Sequence, residues 1–215
     1  MHTGTSRARS SEHPGVGVRP LSWQDVNSIA PIHMAVFPNS PITMLGGEAV
    51  RRFLDWQFIG PHSLSASGAF IENKCVGFYL GGIFRNPHTG FVHYNKTYLL
   101  WRVSTHPWLL ANGIFRDAVK RGTRILQTPP FAESSPGKRR FRLLVIAVNP
   151  QHQRAGVGEL LMSDAVANAH KYSFDQMYVT LDPENQRLIQ WFQKFGFQLT
   201  AFETSHTGQM TKTLN

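Results

Sequence analysis

The feature that most constrains this chain is a glycine-spaced turn between an apolar run and a helical pattern. Residues 143–148 are continuously apolar, which is typical of a strand buried on both faces. Asn149-Pro150 ends that run, because proline cannot extend a ladder of strand hydrogen bonds. From Val157 onward the apolar residues recur every three or four positions, which predicts an amphipathic helix. The connecting loop contains Gln153, Gly156 and Gly158.

That loop follows the pattern Q-x-x-G-x-G, which suits phosphate binding. Glycines let the backbone approach a pyrophosphate closely, and the start of the next helix presents free N–H groups to it. The glycines are not followed by Lys-Ser/Thr, so a Walker A loop is excluded, and G-x-G-x-x-G is also absent. Glycines alone more often form a turn than a ligand site. Here the flanking strand and helix favour the phosphate site.

A second motif follows in residues 185–197, N-Q-R-L-I-Q-W-F-Q-K-F-G-F. We expect Asp182-Pro183 to begin its helix. The two motifs together resemble the GCN5-related N-acetyltransferase (GNAT) superfamily, with its acetyl-CoA pyrophosphate loop and its N-x-x-A-x-x-x-Y-x-K-x-G-F helix. The resemblance is strong over residues 141–203 and looser over residues 16–83. The helix-helix start of the chain, with His33, Phe37 and Gly46, resembles a bacterial subgroup of uncertain substrate.

The resemblance implies an α/β (α+β) fold, with a central mixed and mostly antiparallel sheet of six to seven strands flanked by helices. We expect residues 1–15 to be a disordered leader and residues 16–215 to form one domain. Residues 86–140 depart from the family and predict a helical insertion between the third and fourth strands. The aromatic residues at its start either add core or wall the acceptor pocket.

The resemblance also implies where acetyl-CoA would bind. Backbone groups of Ile146 and Val148 would pair with the pantetheine arm, and the Ile146 N–H would polarise the acetyl carbonyl. Asn185 would hydrogen-bond the pantetheine, or it simply starts a helix. The whole implied set for the cofactor is Ile146, Ala147, Val148, Gln153, Arg154, Ala155, Gly156, Val157, Gly158, Glu159, Asn185 and Phe192.

Two residues depart from the family where catalysis would be expected. Phe192 stands at the position of the usual tyrosine acid, and Arg142 stands where some members have a glutamate base. Either water carries the proton or the protein binds acyl-CoA without turnover. The weak candidates for another acid or base are Glu133, Tyr79, Tyr178 and His106.

Charge and composition limit the partners. The net charge is +9, and residues 116–142 carry eight Lys and Arg side chains against Asp117 and Glu133. That segment favours attraction of anionic CoA or a phosphorylated acceptor over contact with nucleic acid. No apolar stretch reaches the length of a membrane span, and the first residues have no apolar core of a secretion signal. A single cysteine, Cys75, permits no internal disulfide, which suits a reducing cytoplasm.

The sequence therefore predicts a cytoplasmic acetyl-CoA-dependent N-acetyltransferase with no metal. Its expected acceptor is a primary amine of a small molecule, such as an amino sugar or a metabolite. Two alternatives stay open: a catalytically silent acyl-CoA sensor, and an enzyme that acetylates a protein or RNA amine. The sequence leaves a homodimer open as well.

Overall fold

The computed structural model describes residues 15–126, 139–204 and 207–214. Its strands are β1 (Gly17–Pro20), β2 (Ser63–Ile71), β3 (Lys74–Ile83), β4 (Arg140–Val148), β5 (Gln176–Leu181), β6 (Gln198–Thr204) and β7 (Thr207–Thr213). Its α-helices are α1 (Val26–Val36), α2 (Pro41–Met44), α3 (Gly47–Ile59), α4 (Pro87–Tyr94), α5 (Lys96–Thr105), α6 (Gly113–Leu126), α7 (Val157–Lys171) and α8 (Gln186–Lys194). The expected leader lies almost entirely outside the described residues.

The strands form one sheet in the order β1-β2-β3-β4-β5-β7-β6. Every neighbouring pair is antiparallel except β4 and β5, which run parallel. This arrangement confirms the expected mixed, mostly antiparallel sheet. The segment between β3 and β4 contains α4, α5 and α6, so the helical insertion is confirmed too.

Both faces of the sheet are covered by helices, as the continuous apolar run of β4 predicts. On one face α7 and α8 pack over a core that includes Phe141 and Leu143. On the other face α1, α3 and α4 pack over a core that includes Val145 and Ala147. Strand β4 thus supplies buried side chains to both layers.

A β-bulge at Leu144 allows β4 to do this. Gly81 pairs with Leu143 and Leu80 pairs with Val145, so Leu144 has no partner on β3. Side chains normally alternate between the faces, and one extra residue shifts that alternation. Phe141 and Val145 are four residues apart, so they would lie on the same face of a regular strand. The bulge places them on opposite faces. The bulge fixes which groups of β4 face the site described next.

The insertion is less buried than the sheet and carries several exposed aromatic residues. Phe91 is buried against α3, whereas Tyr94, Trp101 and Trp108 are each more than half exposed. The expectation of extra core therefore applies to Phe91 and not to the exposed three.

Candidate active site

The two parallel strands in the middle of the sheet separate after a short paired region. The pairing of β4 with β5 begins at Arg140 and Gln176 and ends at Leu143 and Val179. Strand β4 continues to Val148 and stays paired with β3 on its other side. The separation leaves a cleft in the sheet, and we call it the β4–β5 split.

Backbone groups of β4 point into this split at alternate residues. The Asn149 N–H donates to the Val76 carbonyl at 2.8 Å, so these two residues form a hydrogen-bonded antiparallel pair. Such pairs alternate along a ladder, which places Ala147 with Phe78 in the next one. The N–H and C=O groups of Ile146 and Val148 therefore face away from β3 and toward the split.

This alternation separates the three strand residues expected to bind the cofactor. Ile146 and Val148 offer backbone groups to the split. Ala147 does not, because its backbone pairs with Phe78 and its side chain is only 2% exposed in the opposite core.

The glycine loop lies at the end of β4 and is held by side-chain contacts. Asn149 accepts a hydrogen bond from the Gln151 N–H at 3.1 Å, and the Gln153 side chain donates to the Val148 carbonyl at 3.2 Å. Arg154 and Gly156 both have positive φ angles, of 65° and 76°. Gly156 is the N-cap of α7, where the left-handed conformation favours glycine.

The loop exposes a row of unpaired donors. Among the described residues, the N–H groups of 154–159 donate to no protein acceptor, and the first bonded amide is Leu160, which donates to Gly156. The side chains of Gln153, Arg154, Ala155 and Glu159 are exposed, whereas Val157 is buried and anchors α7. Free amides at the positive end of a helix fit the phosphates of CoA.

Helix α8 forms the other wall near this loop. A Cβ on Gly158 would lie 3.5 Å from the Trp191 ring and 3.8 Å from the Val148 side chain, so these three residues are neighbours. Trp191 was missing from the sequence prediction because only tertiary structure brings α8 to the loop. Its place within the second motif is the one sequence feature that could have pointed to it.

The structure gives Asn185 a local role. Its side-chain oxygen accepts from the Leu188 N–H at 3.1 Å, so it is the N-cap of α8. The helix therefore begins at Gln186, and the expected start at Asp182-Pro183 is wrong. Asp182 instead accepts from the Glu184 N–H in the turn before the helix. The side-chain nitrogen of Asn185 makes no hydrogen bond to the described residues and can donate to a ligand.

Phe192 points into the core beneath α8. It is 1% exposed, and its ring makes edge contacts with Trp191 and Phe197 at centroid distances of 5.1 and 5.2 Å. Phenylalanine has no proton to donate, so the acid of the family pattern is missing at this position.

Tyr79 belongs to a buried polar cluster below α7. Its hydroxyl donates to the Asp164 carboxylate at 2.9 Å and accepts from the Asn168 amide at 3.0 Å. Desolvation, more than the Asp164 charge, raises the pKa of Tyr79. The residue is fully buried. These contacts favour a structural role over that of a catalytic acid.

Tyr79→Phe is expected to lower the free energy of unfolding by about 1.5–3 kcal/mol, because the hydrogen bond from a buried hydroxyl to a partly buried carboxylate is lost. Turnover and CoA affinity should stay near wild type. Denaturant unfolding and steady-state rates measure both. The control is Tyr172→Phe, whose residue is 50% exposed and should change stability by less than about 0.5 kcal/mol. A large loss of turnover with unchanged stability would contradict the structural role.

Tyr178 lies on the opposite face of the sheet, beside the two arginines at the start of β4. The guanidinium carbon of Arg140 lies 4.3 Å from the centroid of the Tyr178 ring, and that of Arg142 lies 6.0 Å away. His88 of α4 lies near Arg142 and stacks on Phe53 at 5.6 Å. The insertion therefore brings a histidine to the face on which the expected base position lies.

His88 combines solvent contact with a crowded environment. The residue is exposed by surface area, and its ring stacks on that of Phe53. Desolvation, followed by the positive charge of Arg142, lowers the pKa of His88, so the ring is neutral at pH 7. No sequence motif marks His88, because it lies outside both of the motifs described above. Of the other candidates, Glu133 lies outside the described residues, and His106 contacts Trp108 in the insertion.

Comparison with known proteins identifies the family of the segment that holds the candidate site. The sequence profile of the Acetyltransferase (GNAT) family matches residues 122–197, which contain β4, the glycine loop, α7, β5 and α8. These residues are a GNAT acetyltransferase domain. No curated protein sequence matches the chain.

Solved GNAT structures share the fold over most of the chain. The PaiA N-acetyltransferase from Thermoplasma acidophilum in complex with coenzyme A has 13% identity and a TM-score of 0.57, covering 93% of this chain and 99% of its own. A GNAT acetyltransferase from Elizabethkingia anophelis with acetyl-CoA bound has 12% identity and a TM-score of 0.52, with coverages of 93% and 99%. The histone acetyltransferase HPA2 and related acetyltransferase structure from Corynebacterium glutamicum has 16% identity and a TM-score of 0.58, with coverages of 94% and 98%.

The GNAT domain sets the general chemistry, which is acetyl-CoA-dependent acyl transfer. Within the described residues, no helix is both long and apolar enough to span a membrane. The same part of the chain holds no group of three or more His, Cys, Asp or Glu side chains placed to bind a metal ion.

Proposed function

We propose that this GNAT domain transfers the acetyl group of acetyl-CoA to a primary amine of a small molecule, an amino sugar or another metabolite. The observation that carries the proposal is a pair of backbone N–H groups, those of Ile146 and Val148, which face the β4–β5 split and take no part in the ladder with β3. Only residues 149–153 separate them in the chain from the free amides of residues 154–159. These donors can therefore hold both the pantetheine arm and the pyrophosphate of an acyl-CoA.

The chemistry needs few protein groups. The amine nitrogen, after losing its proton to water, attacks the thioester carbon, and the Ile146 N–H donates to the carbonyl oxygen as negative charge develops there. The nitrogen then gives up its second proton to solvent as the carbon–sulfur bond breaks, and the departing CoA thiolate takes a proton from solvent. These reaction steps are compatible with Phe192, which cannot donate a proton, because a CoA thiolate needs little help from an acid in order to leave at neutral pH.

A small acceptor is favoured by the insertion. Helix α4 begins just after β3, buries Phe91 in the core of the face opposite α7 and stacks His88 on Phe53, so the insertion packs over the face on which Arg142 lies. A covered site suits a compact amine better than a protein surface. This support concerns the shape of the site and leaves the particular amine open.

The alternative with a specific observation in its favour is a silent acyl-CoA sensor. The positions of the usual acid and of one common base are occupied by buried Phe192 and by Arg142. Such a protein would bind CoA at the same split and release none of it from acetyl-CoA.

An amine-library screen that follows release of free CoA thiol separates the two functions. We expect at least one class of small primary amines to accelerate thiol release well above the rate without amine. Saturable CoA binding with no acceleration by any amine would favour the sensor. Acceleration only by peptides or RNA would favour the protein or RNA alternative.

A further inference from the structure

The sheet face opposite α7 carries two arginines that have no acidic partner among the described residues. Arg140 and Arg142 lie two residues apart on β4, so their side chains leave the same face about 7 Å apart. The Nε atoms of both are buried and have no hydrogen-bond partner. Within the described residues, neither guanidinium forms an ion pair.

The contacts that described residues make with these arginines supply no negative charge. Arg140 donates from Nη2 to the Gln209 side-chain oxygen at 2.7 Å, and both guanidiniums lie against the Tyr178 ring. A neutral amide and an aromatic face orient a guanidinium but supply no full negative charge. A partly buried cation is normally paired with an anion.

The position of Arg140 and Arg142 relative to the split indicates that they would contact the acceptor and not CoA. Arg142 pairs with Tyr178, one residue before the last pair, Leu143 with Val179, after which the strands separate. Its side chain faces away from α7 and from the glycine loop, so it is poorly placed to reach the phosphates of CoA. It lies four residues before Ile146, about 13 Å along an extended strand.

We infer that Arg140 and Arg142 form an anion subsite for the acceptor, whose substrate is an amine that also carries a carboxylate or a phosphate. This inference rests on the proposed acetyl transfer and narrows its substrate class. Guanidinium groups bind both oxyanions in paired, planar contacts, which explains why arginine occupies the position where a glutamate base would repel them. Tyr178 and Gln209 hold the two guanidiniums in place. Because the subsite is several residues from Ile146, the amine and the anion of the substrate are separated by several bonds.

Matched acceptor pairs test the subsite. The carboxylate pair is 6-aminohexanoate and 6-aminohexanamide, and the phosphate pair is 3-aminopropyl phosphate and 3-aminopropanol. With wild-type protein and acetyl-CoA, kcat/KM should be about tenfold or more higher for at least one anionic member than for its neutral partner. The anion that shows the larger preference identifies the group that the natural acceptor carries.

Substitutions test whether Arg142 produces the preference for anionic acceptors. Arg142→Gln should reduce the anionic preference about tenfold or more, leave the neutral amine nearly unchanged, and leave CoA affinity at the wild-type value. Arg142→Lys should retain part of the preference. The control is Arg116→Gln, which removes the same charge from the exposed surface of α6 and should change nothing. Equal rates for both members of each pair, or an unchanged preference in Arg142→Gln, would overturn the inference.

A binding measurement keeps the inference separate from the proposed function. Calorimetry of the CoA-bound protein should show binding of N-acetyl-6-aminohexanoate that its amide does not match and that Arg142→Gln loses. Binding without turnover would count against acetyl transfer while supporting the subsite. Turnover of neutral amines with no binding of either anionic probe would uphold the transfer and overturn the subsite. An RNA oligonucleotide that binds through Arg142 would also overturn it.

Discussion

Replacing Gly156 by glutamate is expected to weaken CoA binding at least about 100-fold. Gly156 caps α7 with a φ of 76°, a conformation that costs an ordinary L-residue about 1–2 kcal/mol. The carboxylate would also stand beside the free amides meant for the pyrophosphate, and like charges about 4 Å apart repel by about 1–4 kcal/mol near a surface. Isothermal titration with CoA measures the loss.

Two further variants separate the conformational cost from the charge. Gly156→Ala imposes the φ penalty without the charge and should weaken binding far less than Gly156→Glu. Gly122→Glu places the same charge on α6, where a new Cβ meets nothing within 4 Å, and should leave CoA affinity unchanged. Wild-type affinity in Gly156→Glu would show that the phosphates of CoA bind elsewhere.

An amide-to-ester replacement at residue 146 is expected to lower kcat about 100- to 1,000-fold. The replacement, made with the α-hydroxy acid that corresponds to isoleucine, exchanges the N–H for an ester oxygen that cannot donate a hydrogen bond. That N–H faces the split, so no strand hydrogen bond is lost. Removing a donor to a developing oxyanion has an effect of this size. Single-turnover rates with an acceptor from the amine screen would measure it, with CoA affinity followed in parallel.

The same replacement at residue 147 is the matched control. The Ala147 N–H belongs to the ladder with Phe78, so its loss should cost about 0.5–1.5 kcal/mol of stability and leave kcat near wild type. The two esters should therefore show opposite patterns. Equal effects on kcat at 146 and 147 would contradict the assignment of Ile146 as the carbonyl-polarising group.

The parts of the fold that follow from local pattern could be predicted from the sequence. The apolar run of β4, the proline that ends it and the periodicity of α7 each depend on neighbours in the chain, and the structure confirms all three. The glycine positions also carry local information, because Gly156 has a backbone conformation that few other residues accept. The start of α8 was wrong because Asp182-Pro183 and Asn185 both suit a helix start, and only the second caps it.

The features that depend on partners distant in sequence could not be predicted. Nothing in the run of β4 shows the bulge at Leu144, which arises only from the register with β3. Trp191 lies against Gly158, and His88 stacks on Phe53, through packing between separate elements. Arg140 and Arg142 were visible as part of a basic segment, but their common face next to the split required the sheet.

Mapping CoA onto the backbone amides tests the central claim, that the β4–β5 split and the glycine loop form one acyl-CoA site. In a ¹H–¹⁵N titration of the wild-type protein with CoA, we expect saturable shifts at one site per chain. The largest should fall on Ile146, Val148 and the amides of 154–159, whose N–H groups have no protein acceptor among the described residues. Shifts confined to the insertion helices, or no saturable shift at millimolar CoA, would contradict the account.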